Sequence, residues 1–180
     1  TAAPLTIEVG NWVLQPNTPN QQIPIYASGG DGLDSMDIYV QLGFGNEFSP
    51  PGEPKITNVD LLTGTIFDGH SAVPAPGTVG VNYDQFWLVS VISDVSVLFY
   101  PDHSLIATIT INTVGVNEST MYPIILSSAN WMGAGSAYWN GSGAHEFIVT
   151  DGSIASVPEP SSLTSVGAVT SEGLPRLSLR

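Results

Sequence analysis

Met36-Asp37-Ile38-Tyr39-Val40-Gln41-Leu42-Gly43 alternates apolar and polar side chains without a break. In an extended chain successive side chains point to opposite faces. Met36, Ile38, Val40 and Leu42 therefore share one face, and Asp37, Tyr39 and Gln41 share the other. A helix would scatter both sets around its axis. The stretch predicts a strand with one face in a core, and Gly43 ends it.

The same period extends outward in both directions. Thr6–Leu14 reads as a strand with Ile7 and Val9 on one face. Gln22–Ser28 follows, with Ile23, Ile25 and Ala27 inward. Pro24 cannot donate a ladder hydrogen bond, so that strand is expected at an edge or with a break. Lys55–Leu62 and Gly64–Phe67 are shorter runs. Gln85–Ile92 is apolar on both faces and reads as a central strand. Leu105–Val114 turns Leu105, Ala107, Ile109 and Ile111 inward. Met121–Leu126, Glu146–Val149 and Ser153–Val157 complete the series. Punctuation such as Gly29-Gly-Asp-Gly32, Ser49-Pro-Pro-Gly52 and Pro74-Ala-Pro-Gly77 separates the runs. No amphipathic helix longer than a turn or two is visible. Strands that bury one face each must pair as two packed sheets. The expectation is an all-β, two-sheet antiparallel sandwich of about nine strands, with Trp12 and Trp87 in its core.

Composition narrows the function. The 180 residues suit one domain. There is no cysteine, which removes disulfide scaffolds, thiol redox chemistry and thiolate metal sites. The only cations besides histidine are Lys55, Arg176 and Arg180, against sixteen carboxylates. Such a chain repels phosphate backbones, so nucleic acid is excluded as a partner. Thr1-Ala-Ala-Pro-Leu5 has neither a basic nor an apolar leader segment. If the chain is exported, Thr1 is expected to be the mature N-terminus.

Two resemblances add to this. Leu5-Thr-Ile-Glu-Val-Gly10, Gln22-Ile-Pro-Ile-Tyr-Ala27 and Asp37-Ile-Tyr-Val-Gln-Leu-Gly43 resemble the strands of a cohesin-like domain. So do Leu105-Ile-Ala-Thr-Ile-Thr-Ile111, Tyr122-Pro-Ile-Ile-Leu126 and Thr150-Asp-Gly-Ser-Ile154. The resemblance implies a jelly-roll sandwich over residues 1–157, in a fold group shared with several carbohydrate-binding modules. It also implies recognition of other protein subunits. Val157-Pro-Glu-Pro-Ser-Ser-Leu163 resembles the start of a PEP-CTERM sorting signal. Val157, Pro158, Glu159 and Pro160 carry the motif, and residues 158–180 form the tail. The family's membrane segment is degenerate here. A spanning helix needs about twenty apolar residues, and Glu172, Gly173 and Pro175 interrupt the run. The resemblance thus implies a bacterial extracellular or cell-surface location without a direct membrane span.

Few residues suggest chemistry. Asp31, Asp34 and Asp37 stand in a Gly-rich loop that could offer oxygens to calcium. They could equally form a solvated turn. No other cofactor is expected. Trp131, Tyr138 and Trp139 lie in the Gly/Ser-rich stretch 127–143. They could form a flat platform for an extracellular polysaccharide, or cap the core. His70, His103 and His145 show no ligand spacing to one another. Asp102-His103-Ser104 cannot form a relay, because adjacent residues on an extended chain point apart. No catalytic residue is assigned. Asn117-Glu-Ser119 and Asn140-Gly-Ser142 match the N-glycosylation pattern.

The reading that results is a non-catalytic extracellular interaction or structural module of a bacterial surface or matrix, serving adhesion or assembly. Its tail is expected to pack on a neighbouring subunit and so support self-assembly. The alternative is a carbohydrate-binding module, and a hydrolase is a distant third.

Overall fold

The computed structural model describes residues 5–29, 33–71, 78–97, 103–116, 120–127 and 135–156. They form strands and turns, with no helix. Five strands make the smaller sheet, in the order β12 (Ile148–Thr150), β1 (Thr6–Glu8), β3 (Gln21–Ser28), β8 (Ser104–Asn112) and β5 (Lys55–Asp60). The larger sheet has eight. Its path runs β11 (Gly143–Glu146), β10 (Ala137–Asn140), β4 (Leu33–Leu42), β9 (Met121–Ile125), β13 (Gly152–Ser156) and β2 (Asn11–Leu14). β7 (Phe86–Val97) pairs with the other edge of β4, and β6 (Thr78–Asn82) lies beyond it.

The inner faces meet in one core. Ile7, Ile23, Ile25, Ile109 and Ile111 come from the smaller sheet. Met36, Ile38, Val40, Leu42, Val89, Val91, Ile124 and Ile154 come from the larger, and all are buried. The alternation of Met36–Gly43 is thus realised as read. Tyr39 and Gln41 do point to the outer face, yet they too are buried. Tyr39 packs against Phe86 in a second, smaller cluster joined by Val81, Tyr83, Leu88 and Ile125.

The two-sheet all-β sandwich agrees with the expectation, and several local readings change. The described residues hold thirteen strands rather than about nine, because two runs divide where the chain changes sheets and because β6 and β10 form in stretches not read as strands. Thr6–Leu14 is two strands: β1 belongs to the smaller sheet and β2 to the larger, with Gly10 at φ 71° between them. The C-terminal segment switches beside it, from β12 to β13. These two neighbouring segments run parallel, within an otherwise antiparallel fold. Gly64–Phe67 is a turn, not a strand. Thr65 Oγ1 donates to the Leu61 carbonyl at 2.6 Å, a local bond that competes with a ladder, and Phe67 is buried. Trp12 is 37% exposed rather than core, because β2 is the outermost strand. Its indole N–H donates to the Val9 carbonyl. β3 is an interior strand. However, β1 reaches only Tyr26–Ser28, so Pro24 has a neighbour, β8, on one side alone.

Candidate functional site: the outer face of the larger sheet

The two outer faces differ in chemistry. That of the smaller sheet carries Gln22, Pro24, Tyr26, Asn58, Asp60, Thr108 and Thr110, as the registers of β3, β5 and β8 dictate, with the exposed Ile148 on the edge strand β12. That of the larger sheet presents two apolar rows. In one, Ile92 and Trp139 flank Ser35 from either side, since both pair with it. In the other, Val13 and Met121 flank Ala155. Exposure is 53% for Ile92, 36% for Trp139, 66% for Val13 and 69% for Met121. Between the rows lie Asp37, paired with Ser90 and Ala137, and then the buried Tyr39 cluster.

A cleft adjoins the Met121 row. It encloses about 470 Å³ and is lined by Phe44, Pro51, Glu53, Met121, Tyr122 and Pro123, among others. Phe44 in its lining and Phe48 further along the same loop are both largely exposed. The loop after β4 that carries them is pinned by one buried glutamine. Gln85 donates its backbone N–H to the Asn46 carbonyl, and its Oε1 accepts from Asn46 N–H at 3.2 Å. Its Nε2 donates to Glu53 Oε2 at 2.7 Å. Asp84 adds a second clasp by accepting from Ser49 N–H and from Lys55 Nζ, at 2.9 and 2.8 Å. The Lys55 hydrogen bond, with help from Ser49, holds the Asp84 carboxyl below the usual carboxylate range. Burial pushes Asp60 up, but hydrogen bonds from Thr63 and Leu62 outweigh it and leave that carboxyl lowered as well.

The residues singled out in the sequence are dispersed. Asp34 falls at the irregularity where β4 slips against β7, and Asp37 stands on the outer face. Asp31 lies outside the described residues, among which no three potential metal ligands cluster. Tyr138 and Trp139 do not share a plane of contact. As neighbours on β10 they point to opposite faces. Tyr138 is buried, with ring centroids 5.2 Å from His145 and 4.9 Å from Phe147, while Trp139 faces outward. These two therefore cannot form one flat platform. Trp131 and the Val157–Pro160 motif lie outside the described residues. The histidines stand apart: His70 near Asp94, His103 on Glu8 and His145 on Ser142. No described helix is long and apolar enough to cross a membrane.

Sequence reasoning missed Val13, Ile92, Met121, Phe44 and Phe48. The signal was present in β7, whose apolar residues on both faces were read as central-strand burial. Ile92 lies past the end of β6, which pairs only as far as Ser90, so it is open to solvent.

No family model matches the chain, and no curated protein matches it. Solved structures do. A type I cohesin–dockerin complex from Clostridium thermocellum with the OlpA cohesin matches with a TM-score of 0.61 at 12% identity, over 86% of this chain and 100% of that one. The OlpC cohesin complex from the same organism gives 0.60 at 10%, over 88% and 97%. A non-cellulosomal cohesin from the archaeon Archaeoglobus fulgidus gives 0.58 at 12%, over 86% and 92%. The sandwich described above has the fold of the cohesins.

Proposed function

We propose that the protein is a non-catalytic protein–protein interaction module, deployed outside a bacterial cell in surface or matrix assembly. It engages its partner through the outer face of the larger sheet. The observation that carries this reading is the asymmetry between the two outer faces. Four exposed large apolar side chains stand in two rows on one, while the other presents mainly Thr, Gln, Asn and Asp, with exposed Ile148 only on its edge strand β12. A surface rich in such side chains and interrupted by small polar ones is what a partner can desolvate at a profit. Cohesins of the same fold were solved bound to dockerins, which supports protein recognition over catalysis. Residues 1–157 form the module in this reading, and residues 158–180 carry the Val157–Pro160 sorting motif. The split of Tyr138 from Trp139 weighs against the carbohydrate-binding alternative.

The experiment pairs two surfaces. Ile92→Asp with Met121→Asp should abolish co-isolation of partner subunits from the extracellular fraction, leaving the melting temperature unchanged. Thr108→Asp with Thr110→Asp should leave co-isolation intact. Equal loss from both pairs, or specific binding on a glycan array, would reject the assignment.

A further inference from the structure

The chain has ten asparagines, and one of them, Asn140, precedes a glycine. It ends β10 at the hairpin to β11, where Asn140 pairs with Gly143 and Gly141-Ser142 form the turn. Its side chain is held in a distinctive way. Oδ1 accepts from Ser142 N–H at 2.9 Å and from the Ser142 hydroxyl at 2.6 Å. His145 Nε2 lies 3.2 Å from the same oxygen and 3.0 Å from Ser142 Oγ, so the tautomer with its proton on Nε2 adds a further donor to this group. Among the described residues no hydrogen bond engages Asn140 Nδ2. Gly141 and Ser142 are exposed, and a Cβ on Gly141 would meet nothing within 4 Å. The Gly141 side of the turn is therefore open to solvent.

We propose that Asn140 is a built-in site of spontaneous deamidation and isomerisation. The Gly141 backbone nitrogen attacks Asn140 Cγ and loses its proton to water. Negative charge grows on Oδ1, where the donors already converge, as they would in an oxyanion hole. The Cγ–Nδ2 bond then breaks, and the nitrogen takes up a proton and leaves as ammonia. Water opens the resulting succinimide at either carbonyl, giving aspartate or a β-linked aspartate. The net change is amide plus water to acid plus ammonia, with no redox partner. Glycine matters because it lacks the side chain that hinders the attack. The products alter the hairpin in two ways. Either one places a carboxylate beside His145. The β-linked form also adds a backbone atom to a tight turn, next to Trp139. The chemistry itself stands independently of the function proposed for that face.

The test incubates the purified full chain in mildly alkaline buffer. Ammonia release is followed together with mass-spectrometric peptide mapping that separates the two aspartyl products. Asn140 should convert faster than each of the other nine asparagines. Ser142→Ala should slow conversion roughly three- to tenfold, the rate equivalent of losing one exposed hydrogen bond to the developing charge. Gly141→Ala should slow it further, and both variants should keep the wild-type melting temperature. An unchanged Asn140 after incubation would overturn the proposal. So would a Ser142→Ala rate equal to that of the wild type.

Discussion

Gly152 lies so close to Gly10 that a Cβ on Gly152 would overlap the Gly10 carbonyl. This is where the N-terminal and C-terminal segments change sheets side by side. Val9 N–H donates to the Thr150 carbonyl just before the switch, and Ser153 N–H donates to the Gly10 carbonyl just after it. The approach lets β1 and β12 close one sheet while β2 and β13 close the other.

Gly152→Ala should therefore destabilise the domain by about 3 kcal/mol, the upper end of an overpacking cost, because the obstacle is backbone and cannot rotate away. Gly64 is the control. It has φ 68° and open space around it, so Gly64→Ala should cost only about 1 kcal/mol of left-handed strain. Urea unfolding of both variants checks this. Equal costs would contradict the sheet-switch account.

Gln85 should behave as a structural latch. Gln85→Ala removes the side-chain hydrogen bonds to Asn46 and Glu53. It leaves two half-buried groups, Asn46 N–H and the Glu53 carboxylate, without this partner, at about 1–2 kcal/mol. The consequence beyond stability is local. Protease should cut within residues 44–54 faster than in the wild type, while hydrogen exchange in β3 and β8 stays slow. Uniform acceleration across the sandwich would argue against a latch.

Acid should weaken the fold through Asp60 and Asp84. Both carboxyls are lowered in the folded state. Their stabilisation is thus fully present above the ordinary carboxylate pKa of about 4. It is lost as pH falls through their folded values. Asp60→Asn with Asp84→Asn should lower stability at neutral pH and flatten the acid limb of the stability–pH curve. An acid limb of unchanged slope would show that other groups carry it.

Much of the sandwich was legible because period two is a local property with a physical cause. Ile38 and Ile109 could be assigned to the core from their neighbours alone, and both are fully buried. What could not be read depends on partners distant in sequence. Trp12 is exposed because β2 ends the sheet, which only the pairing order reveals. Tyr39 and Gln41 are buried on the outer face because Phe86 and its neighbours pack on Tyr39 and the Gly43–Gly45 turn lies against Gln41, although alternation alone marks them as outward. The apolar rows were invisible for the same reason. Ile92, Ser35 and Trp139 are far apart in the chain and meet only through register. The Tyr138/Trp139 pair failed as a platform once β10 proved to be a strand.

The acidic stretch Asp31, Asp34 and Asp37 provides another check. Asp34 and Asp37 sit on β4, within the sheet. Adding a chelator to calcium-loaded protein should leave the melting temperature unchanged. A drop would show calcium bound to the folded state alone.

The most direct test of the central claim is site-specific photo-crosslinking in the source cells, with one probe at Ile92 and one at Thr108. The account predicts a discrete protein adduct from Ile92 and none from Thr108. Adducts of the same partner from Thr108 but not from Ile92 would place recognition on the smaller sheet and contradict it.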